Sequence, residues 1–363
     1  MYLEKLKITN FRTYEDLELD LSPNINVFVG NNANGKTNIL ESIYISCITK
    51  SYRTSKDTEC IMFEKEFFRN IHTYIDNSGI KREIEVFLDV NNKKQIKDNG
   101  IKINKYSDFI GSIPVVIFSP ENMNIIKGAP KNRRKFLDIL ISQISKKYVI
   151  TLQEYNKLVN LKNTLLKNER SKIDFNYLDI IDEKIAEKIE YISQMRKEYV
   201  DKVENFAKKL QNSLSNCTEK LELRYVSEFN SKNLEEIKSI LKNTRESDIF
   251  KKTSNKGIGH DDILVLVNEK EVQKYGSQGQ NRTALLSMKL AEFEILKNTK
   301  ETNPIILLDD VFSELDEKRI TFLMEYIKDY QVFITTTEIN SIKNKDDKII
   351  FKVEKGKVEK LKN

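Results

Sequence analysis

The sequence predicts an α/β fold: a mixed β-sheet carrying a phosphate-binding loop, interrupted by a short helical lobe of coiled-coil type. Three observations carry this prediction. The stretch Gly30-Asn31-Asn32-Ala33-Asn34-Gly35-Lys36-Thr37 fits the pattern G-x-x-x-x-G-K-[ST]. Residues 304–310, Pro304-Ile305-Ile306-Leu307-Leu308-Asp309-Asp310, form a nearly continuous apolar run that ends in two acids, as a strand buried on both faces does. From about residue 131 to 215 there is almost no Gly or Pro, and within it, from Ile185 to Leu210, apolar residues recur every seven positions.

The first strands are read at Leu3, Leu6 and Ile8 and at Leu17, Leu19 and Leu21, with Pro23-Asn24 turning the chain into the next. That next strand, Ile25–Val29, is alternating and β-branched, and the loop pattern follows it directly. Apolar residues at helical spacing from Asn38 to Tyr44 follow, so the loop has the strand-loop-helix setting its chemistry requires. Gly30 and Gly35 permit a tight turn that converges backbone N–H groups on phosphate oxygens. The helix start adds partial positive charge. Lys36 supplies a full charge, and the Thr37 hydroxyl is a ligand for Mg²⁺. At a strand end just before the loop, Arg12 is either within reach of a bound nucleotide or an exposed turn arginine.

Residues 51–118 read as mostly β: 83–90 alternates, Asp98-Asn99-Gly100 is a hairpin turn, and 112–118 is a buried strand closed by Ser119-Pro120. A basic turn, 127–135, follows, and Pro130 marks a break before the helices. Leu137, Leu140, Ile141 and Ile144 run on through Leu152, Tyr155 and Leu158 as one helical pattern. Ile185, Ile192, Tyr199 and Phe206 make a second seam, joined by Ile189, Val203 and Leu210, with Arg196 interrupting it. Two antiparallel helices of roughly 50–60 Å at most make a compact lobe rather than a rod. After about 250 the α/β pattern returns, with strands at 262–267, 305–309 and 331–337 and a closing hairpin at 348–357. The expected organisation is therefore 1–125 and 251–363 as the two parts of one α/β lobe, with 126–250 as the helical lobe.

The composition fits this. The chain has 363 residues, 32% of them charged and 39% hydrophobic, which is enough for a full core and a second lobe. No apolar run approaches a membrane span and no secretory start is present, so a soluble cytoplasmic protein is expected. Cys47, Cys60 and Cys217 are scattered without metal-ligand spacing and read as free thiols; His72 and His260 are far apart. A net charge of +6 is compatible with nucleic acid.

In phosphate-loop enzymes a second apolar strand delivers a carboxylate to the Mg²⁺ shell. Asp309 is placed for this, and Asp310 for orienting or deprotonating an attacking water; being a methylene shorter than Glu, Asp310 predicts slow turnover. Ser277-Gln278-Gly279-Gln280 is either a second phosphate-facing helix start or an ordinary cap. For DNA, the turn holding Lys131, Arg133 and Arg134 is the densest basic cluster, with Lys146 and Lys147 beyond it and Lys50 with Arg53 as a second candidate. Each is either a phosphate contact or a solvated face.

Four segments then line up in order: Gly30 to Thr37, Ser277 to Gln280, Leu307 to Asp310, and Ser313-Glu314-Leu315-Asp316. Together they resemble the ABC-type ATPase head of the SMC class. Asn10-Phe11-Arg12, Phe118-Ser119-Pro120-Glu121, Lys127-Gly128 with Arg133 to Asp138, Leu308 to Asp316, and Phe333 to Thr337 more closely resemble the RecF family, over almost the whole chain. The resemblance implies that the loop from Gly30 through Asn31, Asn32, Ala33 and Asn34 to Thr37 binds ATP, with Mg²⁺ at Thr37 and Asp309. It implies that Ser277, Gly279 and Gln280 contact the γ-phosphate held by a second copy, with Asp316 across that seam. It further implies an ATP-dependent homodimer that binds single- or double-stranded DNA and gap junctions, works with RecR and RecO to place RecA, and supports the SOS response. Slow, DNA-stimulated ATP hydrolysis would act there as a regulatory switch. An ABC transporter ATPase subunit and an SMC-like structural head are the alternatives. The chain departs from the family at Gly257-Ile258-Gly259-His260-Asp261-Asp262, where Gly-Pro-His-Arg-Asp-Asp is usual. It also has no evident Gln for the metal-linked loop, and Thr335 to Thr337 stand where a switch histidine is expected.

Overall fold

The structure, a computed structural model, describes residues 1–169, 173–300, 302–338 and 348–361. They fall into two compact units, Met1–Met123 with Glu292–Asn363, and Asn124–Ala291.

The first unit holds two six-stranded sheets. One is antiparallel and is built on Tyr2–Phe11, Tyr14–Asp20, Phe67–Ile75, Lys81–Asp89, Lys94–Asp98 and Ile101–Lys102. Its last hairpin turns at Asn99 and Gly100, both with positive φ, as a two-residue turn of this hand requires. The other sheet is mainly parallel. Ile25–Val29 lies between Lys348–Glu354 and Val332–Thr336, and Ile305–Asp309 pairs Val332–Thr336 on one side and Val115–Phe118 on the other. All five strands run the same way, and only the closing strand, Lys357–Lys360, is antiparallel. The helix Lys36–Ile48 packs against strands of both sheets, and of its residues only Thr37 is not buried. Its apolar residues therefore occur all round rather than on one stripe.

The second unit carries the helices. The expected single helix through 137–158 is two, Pro130–Ile144 and Lys146–Leu166. Ser145 is extended and its side chain accepts from the Tyr148 N–H, so a new helix is capped in mid-run without any Gly or Pro. The helix Phe175–Ser215 is 41 residues long and buries Ile185, Ile189, Ile192, Tyr199, Val203 and Leu210. This unit runs further along the chain than the expected lobe of 126–250. Strand Asp262–Val267 pairs Leu221–Val226 in a three-stranded sheet, which binds residues beyond 250 to the helices.

Candidate functional site

Parallel pairing places the carboxyl ends of Ile25–Val29, Ile305–Asp309 and Val332–Thr336 at one edge of the sheet, where open α/β sheets bind ligands. Gly30 leaves its strand there, with its N–H donated to the Thr336 carbonyl at 3.3 Å. A Cβ on Gly30 would lie 2.2 Å from the Val353 carbonyl oxygen, so the backbone approach excludes every side chain. Gly35 has φ 104°, and its carbonyl accepts from the Tyr14 hydroxyl at 3.1 Å. Both glycines are thus required by geometry.

Lys36 is buried, and its Nζ donates to the Gly30 and Asn31 carbonyls at 2.6 and 3.0 Å. Burial lowers its pKa, opposed by Asp310 and Asp309. Thr37 Oγ1 donates to Asp309 Oδ1 at 2.8 Å, across 272 residues of sequence. The Asp309 carboxylate is 3% exposed. Thr335 Oγ1 also donates to its Oδ1, at 2.8 Å, and the Tyr52 hydroxyl to its Oδ2, at 2.9 Å. Burial raises the Asp309 pKa, and these three hydroxyls hold the rise back. Asp310 is half-buried with φ 51°, and its N–H donates to Thr335 Oγ1 at 2.9 Å. Thr335, expected only as the residue replacing a switch histidine, is therefore bonded to both acids.

The loop helix itself carries a buried carboxylate that no motif announced. Glu41 has no exposed surface. Arg12 grips it with Nε at 3.0 Å and a terminal nitrogen at 2.8 Å, Arg53 reaches it at 3.2 Å, and the Ser51 hydroxyl donates at 2.5 Å. Burial pushes the Glu41 pKa up, but the bonds from Arg12 and Ser51 and the charges of Arg12 and Arg53 outweigh it and leave it below the ordinary value. Of the two readings open for Arg12, the exposed turn arginine does not hold: its guanidinium is half-buried and bound within the protein to Glu41 and to the Glu59 carbonyl.

Asp309, Thr37, Lys36 and the loop thus converge in the first unit. Ser277, Gly279 and Gln280 open the helix Gln278–Thr299, which starts in the second unit. There the Ser277 Oγ accepts from the Gln280 N–H while the Gln280 side chain accepts from the Ser277 N–H, a reciprocal cap. Asp316 caps the helix Glu317–Tyr326, accepting from the Arg319 N–H at 2.9 Å.

The basic turn divides. Arg133 is 4% exposed, and its Nε and a terminal nitrogen bond Asp262 at 2.6 and 2.8 Å. That pairing corrects its assignment to DNA: the guanidinium is committed inside the unit. Arg134 is half-buried and donates to the Asp261 carbonyl at 2.7 Å. Lys131 is exposed. Arg196, the interruption of the seam, bonds Asp138 at 3.0 Å and Asp261 at 2.6 Å, and Tyr225 donates to Asp261 at 2.7 Å. The segment Gly257 to Asp262 therefore supplies two acids, Asp261 and Asp262, to a charge network that Asp138 joins from the helix Pro130–Ile144.

Among the described residues no cluster of three or more His, Cys, Asp or Glu could hold a metal ion, and no helix is long and apolar enough to cross a membrane. Thr37 and Asp309 are hard oxygen donors already in contact, a set that suits Mg²⁺ completed by phosphate oxygens and water.

A family model described as an AAA domain matches residues 5–244. The chain is 41% identical over 365 residues to the DNA replication and repair protein RecF of Clostridium tetani, covering 98% of this chain and 99% of that one. It is also 41% identical to the RecF of Clostridium kluyveri over 366 residues, covering 99% and 100%. A solved structure of the recombination mediator protein RecF with ATP, in the RecFOR pathway, superposes with a TM-score of 0.93 at 35% identity, covering 99% of this chain and 98% of that one. An Smc head domain from Pyrococcus furiosus, bound to the C-terminal domain of ScpA, shares the fold at a TM-score of 0.57 and 17% identity. Full-length agreement with RecF proteins disfavours the transporter-subunit and structural-head alternatives.

Proposed function

The chain belongs to the RecF family of DNA replication and repair proteins, and from that membership we propose that it is an ATP-gated DNA-binding protein of recombinational repair. The observation that carries the reading is the 2.8 Å contact between Thr37 of the loop and Asp309 of the acidic strand, with Lys36 beside it.

Gly30 to Thr37 cradle the phosphates of ATP with backbone N–H groups, and Lys36 exchanges its carbonyl partners for phosphate oxygens. Thr37 and Asp309 hold Mg²⁺, which when bound supplies charge neutralisation on the β- and γ-phosphates. Asp310 orients or deprotonates the attacking water, and hydrolysis is slow and serves as a release switch. In an ATP-dependent homodimer, Ser277, Gly279 and Gln280 of one copy meet the γ-phosphate on the other, and Asp316 lies at the seam. The anion-attracting helix start at Ser277 supports this arrangement. DNA binds through its phosphates across the pair, with Lys131 exposed as a contact and Arg134 at the margin. At gaps in cytoplasmic DNA the dimer helps RecO and RecR place RecA, and so supports the SOS response.

The test is Asp310→Asn. ATP hydrolysis is expected to fall by about 10²–10⁴ while nucleotide affinity stays within a few-fold. Unchanged hydrolysis with retained binding overturns the assignment of Asp310.

A further inference from the structure

The three consecutive residues Ser51, Tyr52 and Arg53 hold two different parts of the nucleotide site. Ser51 donates to Glu41 at 2.5 Å, and Arg53 reaches Asn38 Oδ1 at 3.0 Å and Glu41 at 3.2 Å, so both grip the loop helix Lys36–Ile48. Tyr52 points its hydroxyl to Asp309 Oδ2 at 2.9 Å, at the end of a different element. Its ring stands edge-on to Tyr44 of the loop helix, with centroids 5.3 Å apart and planes at 78°. The strap is thus anchored to the helix on both sides of the residue that touches the acidic strand.

The division of donors on Asp309 gives Tyr52 a distinct task. Thr37 and Thr335 both donate to Oδ1. Among the described residues Tyr52 is the donor on Oδ2, so it fixes the rotation of the carboxylate about its Cβ–Cγ bond. Thr37 Oγ1 would hold a cation through a lone pair and keep its O–H for Asp309 Oδ1, so both donors on that oxygen would remain and Tyr52 would hold the other oxygen of the carboxylate. Groups that orient a ligand in this way ordinarily change metal affinity by about 10–100-fold when removed.

We propose that Tyr52 is a positioning residue that sets the Asp309 carboxylate for Mg²⁺–nucleotide and transmits its engagement to the strap of residues 51–60. The proposal rests on the ATP reading above. The strap is suited to respond, because the amides at its start are held by side chains rather than by a sheet: Ser51 N–H donates to Asp57 at 3.2 Å, and the Arg53 and Thr54 N–H groups to Ser51 Oγ at 3.0 and 3.2 Å.

The experiment is a Mg²⁺ titration of the binding of a fluorescent, non-hydrolysable ATP analogue to wild type and Tyr52→Phe. Phenylalanine keeps the ring against Tyr44 and removes one donor. The half-saturating Mg²⁺ concentration is expected to rise about tenfold, with affinity in EDTA within twofold of wild type. An unchanged or lower Mg²⁺ requirement in Tyr52→Phe overturns the proposal while the ATP reading stands. A wild type that binds no nucleotide overturns both. Hydrogen exchange on the wild-type protein supplies the second measurement, independent of how the variant folds. Amides of 51–60 are expected to gain protection with Mg²⁺ and analogue relative to analogue in EDTA, and equal protection in the two overturns the coupling.

Discussion

Replacing Glu41 by Gln removes the negative charge on which the back of the site is assembled. The carboxylate has no exposed side-chain surface, whereas Arg12 is 20% exposed and Arg53 is 34% exposed. Gln is the same length, so packing is kept and the change is electrical. Breaking a buried pair costs about 3–5 kcal/mol when the surviving charge stays buried. Here both guanidiniums reach solvent in part, and Gln still offers an acceptor, so about 2–3 kcal/mol is expected after that discount. In a unit of about 200 residues each kcal/mol moves the melting temperature by about 2–4 °C, which gives a drop of roughly 5–10 °C. The effect has a defined pH dependence. Glu41 has its folded pKa held below the ordinary 4.5, so its stabilisation is complete above that value and is lost as pH falls through the folded pKa. Gln does not titrate. Differential scanning calorimetry from pH 7.5 to 3 should therefore show the two melting curves converging at the acid end. A drop under 2 °C at pH 7.5, or a difference that persists unchanged to pH 3, refutes the reasoning.

Gly30→Ala places a methyl 2.2 Å from the Val353 carbonyl oxygen, so the strand Lys348–Glu354 must move away. Loss of nucleotide binding together with a lower melting temperature is expected in titration and calorimetry, and a variant that binds ATP normally contradicts it. Arg133→Ala leaves Asp262 without its partner inside the second unit and should destabilise the protein by about 3–5 kcal/mol in urea unfolding. Lys131→Ala should leave stability unchanged and lower the slope of log affinity for DNA against log salt by about one, measured by fluorescence anisotropy.

What could be read from the chain was what has a period or a pattern. The loop, the acidic strand, the Asn99-Gly100 turn and the buried helix seam all appear as local spacings, and the structure places them where those spacings require. Partners distant in sequence left no such trace. Arg133 looked like a DNA contact because its neighbours are basic, yet its partner, Asp262, is 129 residues away. Arg12 and Glu41 are 29 residues apart, and a lone Glu in an apolar helix carries no signal that two arginines converge on it. Tyr52 and Thr335 reach Asp309 only because the sheet and the strap bring them there. The break at Ser145 had one legible sign, a serine three residues before Tyr148, but the apolar spacing ran through it. Arg196 was visible as a flaw in the seam, and its explanation lay in Asp138 and Asp261.

Molar mass by sedimentation, on wild type and Lys36→Ala with and without ATP and Mg²⁺, decides whether nucleotide held at Gly30 to Thr37 joins two copies. Wild type should double its mass only when ATP is present, and Lys36→Ala should stay at the mass of one chain throughout. A wild type whose mass ignores ATP, or a Lys36→Ala protein that pairs as readily as wild type, contradicts the mechanism.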